Sequence, residues 1–362
     1  MKKSLIALSL AALPVAAFAD VTLYGQIKAG VEVSKVKVGS GDDAARSKTA
    51  TEIADFGSRI GFKGHEHVGN NLNAIWKVEQ KTSVAGTDSG WGNREAYIGL
   101  EGGFGTFRAG KIATQLDDMG TIDPWEYSNN ALGLGVFTRT GSKVVSARYD
   151  TPVFGGFSAN VQYTPRDNAN PDDKYTHSVP SNEAYYAGLN YENSGFFAQY
   201  GAAFQKNAYT NARGEGRNGQ VHRVEAGYDA NNLFVGAGYQ YTRGFDTIAS
   251  YAGSLSNGII TADDFTAADD AGRAIKTNEV AVTGAYRFGN VTPRISYAHG
   301  FKAKTVGGEK LDNSQYNQVV VGADYDFSKR TTAMVSAGWL KAGRGDDKIQ
   351  NTAGLVGLRH KF

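Results

Sequence analysis

Asp117, Asp118, Asp123 and Glu126 fall within ten residues of one another, and no Lys or Arg interrupts the stretch from Ile112 until Arg139. The stiff sequence Ile122-Asp123-Pro124-Trp125-Glu126 runs through the middle of this stretch. Seven basic residues, Lys28, Arg59, Lys63, Lys77, Lys81, Arg108 and Arg148, occupy the polar positions of alternating segments elsewhere. Acids on one loop facing cations on a wall across a narrow wet passage would set up a transverse field acting on whatever passes. Two unit charges about 4 Å apart interact by about 1 kcal/mol in water and about 4 kcal/mol at an effective dielectric near 20. A constriction therefore amplifies the few groups that line it.

Other motifs carry less. His65-Glu66-His67 offers two imidazoles on one strand face, but no third ligand lies nearby in sequence, so it reads as a solvated turn. Gly214-Glu215-Gly216-Arg217-Asn218-Gly219 fits a dinucleotide-binding string but lacks the strand-to-helix setting, and reads as a loop. Asp88-Ser89-Gly90 has no evident histidine partner, and Arg344-Gly345-Asp346 reads as a polar loop. No catalytic residue, metal site or cofactor is expected.

The elements that must hold these charges are strands. The 362-residue chain has 38 Lys plus Arg against 36 Asp plus Glu, a formal charge of +2, which argues against a nucleic-acid partner. It has no cysteine, so disulfides and thiolate chemistry are excluded. Glycine at 46, tyrosine at 19 and phenylalanine at 18, beside only 7 prolines, suit a sheet protein rich in turns. Residues 1–19, with Lys2-Lys3, an apolar run and Ala17-Phe18-Ala19, read as a secretory signal peptide cleaved after Ala19. Residues 20–362 then form one domain.

From Asp20 onward apolar and polar residues alternate almost everywhere, the period of a strand with two different faces. Sixteen runs start near residues 21, 58, 72, 94, 106, 143, 157, 184, 195, 220, 233, 279, 291, 316, 332 and 352, and no helix of ordinary length is predicted. Short and long connections alternate strictly, the long ones rich in Asp, Asn, Gly and Lys, which predicts an all-β, sixteen-stranded antiparallel barrel elaborated at one rim. Lys, Arg, Glu and Gln on the polar faces cannot be buried in a dry core of that size. Val145, Ala147, Val321 and Val335 should therefore face hydrocarbon or a neighbouring subunit, and Ser146, Arg148 and Ser336 should face water. Tyr191, Tyr239, Tyr241, Tyr286, Phe288, Tyr325, Phe327 and Phe362 fall at strand ends, where interfacial girdles lie.

Longer strings carry a resemblance. Asp20-Val21-Thr22-Leu23-Tyr24-Gly25, Gly57-Ser58-Arg59-Ile60-Gly61-Phe62-Lys63-Gly64 and Trp91-Gly92-Asn93-Arg94 resemble the general bacterial porins. Ala285-Tyr286-Arg287-Phe288-Gly289-Asn290, Tyr325-Asp326-Phe327-Ser328-Lys329-Arg330 and the ending Val356-Gly357-Leu358-Arg359-His360-Lys361-Phe362 look like the neisserial major porins. The resemblance spans the whole chain and weakens only in the long loops. It implies a homotrimer of barrels in the outer membrane of a Gram-negative bacterium, in contact with its lipid and lipopolysaccharide. The third long loop, about 112–142, would fold inward as the constriction. By position Asp117, Asp118, Asp123 and Glu126 would be its acids, and Lys28, Arg59, Arg94 and Arg148 the facing basic cluster. Lys63, Lys77 and Arg108 join that cluster by strand parity. Arg94 shares parity with Ala96, Ile98 and Leu100, so it reaches the lumen only through a bulge. The second long loop, Thr82 to Asn93, would latch onto a neighbouring subunit, and Phe362 would be the assembly signal.

The expected function is passive diffusion of ions and small hydrophilic solutes through a water-filled channel. Glu79, Glu95 and Glu101 share the lumen parity, so acids and bases balance, and the depth of Arg59 and Arg148 tips the reading toward anions. A surface adhesin with a closed lumen and a barrel enzyme are the alternatives, separable by current recording and by assay of lipid hydrolysis.

Overall fold

The structure, a computed structural model, describes residues 20–39, 45–86, 90–211, 213–257, 272–345 and 348–362. The proposed signal peptide, Asp88, Ser89 and Asp346 lie outside the described residues.

The wall is built from β1 (Asp20–Val38), β2 in two pieces (Ala50–Asp55 and Arg59–Gly69), β3 (Leu72–Lys81), β4 (Ala96–Gly102), β5 (Gly105–Ala113), β6 (Lys143–Asp150), β7 (Phe157–Thr164) and β8 (Ala184–Asn193). It continues through β9 (Phe196–Thr210), β10 (Gly216–Ala230), β11 (Leu233–Thr247), β12 (Ala274–Tyr286), β13 (Val291–Gly300), β14 (Tyr316–Asp326), β15 (Thr331–Ala342) and β16 (Ile349–Lys361). Every neighbouring pair is antiparallel, and β1 pairs with β16 from Gln26↔Lys361 to Val38↔Ile349, which closes the barrel without an edge. The chain end completes the closure. Phe362 and Gly25 exchange both backbone hydrogen bonds at 3.1 Å, and a Cβ at position 25 would strike the Phe362 ring.

Which face points out follows from exposure. Val145 and Val335 are 45% and 51% exposed, while Ser146 and Ser336 are 5% and 4%. The apolar face is therefore the outer one, as the alternation requires. Aromatic pairs mark the rims of this face, with ring centroids 4.4 Å apart for Phe157–Tyr191, 4.6 Å for Tyr286–Phe288 and 5.1 Å for Tyr325–Phe327.

Three features differ from the sequence expectation. First, β9 to β12 run past the band the alternation marks, to Thr210, from Gly216, to Thr247 and from Ala274, so their loops are shorter than predicted. On β11 and β12 the inner face of these extensions packs inside the mouth, and pairing continues after the apolar–polar alternation stops. Second, β2 is interrupted at Phe56-Gly57-Ser58, where Asp55 accepts the Gly57 and Ser58 amides at 2.9 and 3.1 Å and Gly57 takes a φ of +94°. Third, a helix, Ile248–Ser256, occupies the sixth long loop. Thr247 and Ser250 cap it reciprocally, and Ile248, Tyr251, Ala252 and Leu255 form its buried stripe.

That helix folds into the barrel mouth. With Leu132, Leu134, Val136 and Phe137 of the third loop, and Ile275, Val320, Leu340 and Ile349 of the wall, it makes an apolar core inside the barrel. One side of the interior is thus packed, where the sequence reading expected water throughout.

Candidate functional site

Residues 114–142 leave β5 and turn inward instead of out. A short helix, Gln115–Asp118, starts the loop; a 3₁₀ turn, Asn130–Leu132, and a helical turn, Gly135–Thr138, end it. Its hydrogen bonds follow the wall in order. Gln115 bonds Asn160 of β7 and Asn190 of β8, and Gly120 N–H donates to Glu225 of β10. Thr283 of β12 donates to the Ile122 carbonyl, and Trp125 Nε1 to Ser296 of β13 at 2.7 Å. Gln318 of β14 donates to the Asn130 and Gly133 carbonyls, and Asn351 of β16 bonds Asn129. Close approach demands glycine on the wall: a Cβ at Gly338 would collide with the Ala131 carbonyl, and one at Gly188 with Gln115.

The four loop acids meet different fates. Asp117 pairs with Lys143, and Asp118 with Arg148 of β6 at 2.6 Å. Glu126 bonds Lys28 of β1 and Arg359 of β16, the latter at 2.8 Å. Asp123 turns back into its own loop, where it accepts the Leu134 amide at 3.1 Å and the Tyr127 hydroxyl at 3.3 Å. Burial pushes its carboxyl up to about 6. Asp118, with a 45% exposed side chain, is the acid most open to the passage, followed by Asp117 at 25%. Lys28 and Arg148 touch the loop acids directly, so those charges are joined and do not face one another across a gap.

On β2 to β4 a second cluster centres on Glu79. Its carboxylate accepts from the Tyr24 hydroxyl at 2.9 Å and Arg94 Nε at 2.5 Å, with Arg59 Nε at 3.6 Å and Lys77 Nζ at 3.7 Å. Lys77 also pairs with Glu95, and Lys63 stands over the Tyr24 ring. Arg94 gets there through the irregularity its parity required. Glu79 N–H donates to the Glu95 carbonyl while Arg94 N–H donates to the Glu79 carbonyl, so two residues oppose one. Arg59 and Arg94 keep 34% and 28% of their side chains exposed. Arg108 stands opposite Arg148, and both bond Asp150.

Three groups at this site escaped the sequence reading. Arg359 and Arg294 come from the last strands, where Arg294 pairs with Asp324 at 2.6 Å and donates to the Pro124 carbonyl. Arg139 ends the constriction loop in a buried clamp. Its guanidinium bonds Asp246 at 2.8 Å, Glu279 at 2.7 Å, the Val136 carbonyl and Thr277, and lies 4.9 Å from the Tyr251 ring centroid. Nothing in sequence pairs Arg139 with Asp246 and Glu279, which lie more than a hundred positions away.

A closed barrel that is apolar outside, charged inside and narrowed by an inward loop is an outer-membrane channel. The chain belongs to the Gram-negative porin family, whose model matches residues 28–362. It is 58% identical to the major outer membrane protein P.IB of Neisseria sicca and 49% identical to that of Neisseria meningitidis serogroup B, each over the full length of both chains. Among solved structures it resembles an anion-selective porin from Comamonas acidovorans, with a TM-score of 0.65 at 21% identity, covering 95% of this chain and all of that one. It also resembles OmpF of Salmonella typhi, with a TM-score of 0.63 at 22% identity, covering 95% of this chain and 98% of that one. The protein is a multi-pass outer-membrane porin, a channel and not an enzyme.

Proposed function

We propose that this porin passes small ions and hydrophilic solutes with a preference for anions, set where the β2–β4 wall meets the constriction loop. The observation that carries the proposal is an imbalance in exposed charge. Arg59, Lys63, Lys77 and Arg94 stand beside Glu79 and Glu95, a surplus of two positive charges on one patch of wall. The loop acids are largely neutralised by Lys28, Lys143, Arg148 and Arg359. A narrow passage weights this surplus more heavily than the near-zero charge of the whole chain.

Reversal potentials in a salt gradient test it. Arg59→Gln with Arg94→Gln should move selectivity toward cations, and Asp117→Asn with Asp118→Asn should move it toward anions. Unchanged potentials in both double variants would sink the assignment.

The remaining proposals concern assembly. Residues 1–19 direct export and are cleaved after Ala19, and Phe362 serves as the assembly signal. The barrel works as a homotrimer in contact with outer-membrane lipid and lipopolysaccharide. Trp91, 69% exposed on the second long loop, supports a subunit contact there, and an OmpT structure of Vibrio cholerae is described as a trimer form.

A further inference from the structure

Arg243, Lys276, Lys304 and Lys310 stand opposite one another in register: Arg243↔Lys276, Lys276↔Lys304 and Lys304↔Lys310. Directly opposed like charges on one sheet face destabilise it unless something neutralises them. Among the described residues none of the four has an ion pair. The nearby acids Glu215, Glu309 and Asp312 are already engaged by Arg217, Arg273 and Lys302, and of the row only Lys310 lies close enough to Asp312 to feel its charge. Arg243 Nε is shielded from water and finds no acceptor among the described residues.

The row points outward. Thr242, Ile275, Thr277, Ala303 and Thr305, the chain neighbours of these cations, are all buried toward the interior. Two residues down the strands lie Tyr241 and Asn278, and Asn278 accepts the Tyr239 hydroxyl at 2.7 Å. On β13 Tyr297 and on the following loop Phe301 are 40% and 48% exposed. The cations therefore sit one step beyond the aromatic belt on the long-loop rim, the height of lipid headgroups in the outer leaflet. With neighbouring strands about 4.8 Å apart, four in a row span about 14 Å, which suits a polyanion better than a single phosphate. Beside the row, Tyr209, Arg213, Arg217, Arg243, Arg273 and Val306 line a groove of about 620 Å³.

We propose that this row and groove bind the phosphorylated saccharide headgroup of an outer-leaflet glycolipid. The proposal gives the lipid contact suggested above a definite place on the barrel. β12 also lies about halfway round from β3 and β4, where a subunit contact through the second loop would form, so the site stays open to lipid in a trimer.

The test uses the full-length protein in neutral detergent, titrated with micelles carrying a diphosphorylated lipid A. Each cation beside anionic lipid contributes about fivefold, so Arg243→Gln/Lys276→Gln/Lys304→Gln should weaken binding about a hundredfold and Lys304→Gln alone about fivefold. Lys329→Gln/Arg330→Gln, on the opposite rim, should bind like the wild type. Unchanged affinity in the triple variant would overturn the site. Equal affinity for phosphatidylglycerol micelles would overturn it too, by reducing the effect to diffuse surface charge. Inorganic pyrophosphate binding as tightly, with the same sensitivity to substitution, would reassign the row to free anions and overturn the lipid. Single-channel conductance of the triple variant should equal the wild type, which keeps failure of this site separate from failure of the channel assignment.

Discussion

Replacing Arg139 by Gln should release the end of the constriction loop while leaving the barrel closed. The side chains of Arg139, Asp246 and Glu279 are 7%, 6% and 0% exposed, so the guanidinium is the counter-charge for two buried carboxylates. Removing one partner of a buried pair costs about 3–5 kcal/mol, chiefly because the other charge is left desolvated. Spread over the anchored and released states of the loop, that is a shift of roughly two to nearly four powers of ten. The wall's backbone ladders are untouched, since Glu279 keeps its pairings with Gln240 and Gly300, and Asp246 lies in the bulge between Arg243 and Thr247, outside the ladder. Single-channel recording should therefore show normal insertion, larger open-state noise and excursions to higher conductance, because the segment Gly135–Thr138 no longer packs under the Ile248–Ser256 helix. Arg139→Lys should rescue only in part, as one ammonium cannot reach Asp246, Glu279, Thr277 and the Val136 carbonyl together. Wild-type noise and conductance in Arg139→Gln, with an unshifted thermal midpoint, would show that the loop is held without this clamp.

Three further outcomes follow from the same geometry. Val335→Arg should destabilise the barrel by about 2–4 kcal/mol in urea titration, because Val335 is 51% exposed on the apolar outer face; a variant as stable as the wild type would invert the register. Asp123 titrates near 6 in the folded protein against an ordinary value near 3.9. Its contribution to loop anchoring is complete below the ordinary value and is lost as pH rises through about 6, so open-state noise should be lower at pH 4 than at pH 7. Asp123→Asn should flatten that dependence, and an identical pH profile in the variant would assign it to another group. In the fourth long loop, hydrogen bonds from Ser178 and Thr176 hold the Asp173 carboxyl well below the usual carboxylate range. Asp173→Asn should therefore speed tryptic cleavage at the exposed Lys174 at neutral pH, and equal cleavage rates would contradict that role.

The barrel was legible because its two solvents impose a period of two on every wall strand. Val145 beside Ser146, and Val335 beside Ser336, carry the register in adjacent letters. Glu79, Lys77 and Arg148 were placed inside by the same alternation. The helix Ile248–Ser256 was missed, because its apolar spacing of three and four spans only nine residues inside a long polar loop and breaks no strand pattern. The clamp around Arg139 and the pairing of Glu126 with Arg359 were not legible. Each joins residues more than a hundred positions apart in chain, and local periodicity carries no information about which loop returns to which wall. Asp123 shows the limit most plainly. It was read as one of four acids facing the passage, yet the turn at Asp123-Pro124-Trp125 folds its carboxyl onto Leu134 and Tyr127.

This mixture of roles decides which charges can report on selectivity. Arg148 bonds Asp118, Asp150 and the Ala113 carbonyl, so it holds the loop's first turn while cancelling one of the loop's acids. Neutralising Arg148 would alter the field and free the loop in one step, and a changed reversal potential could come from either. Glu126 is ambiguous for the same reason, being the tie between β1 and β16. Arg59 meets Glu79 only at 3.6 Å and is 34% exposed, and Arg94, although bonded to Glu79, has no ion pair with the constriction loop among the described residues. Their removal changes the field near the passage while the loop's anchors stay in place. A shift toward cations on replacing Arg59 and Arg94, without added open-state noise, would therefore isolate electrostatics from loop motion in a way that no substitution at Asp118, Glu126 or Arg148 can.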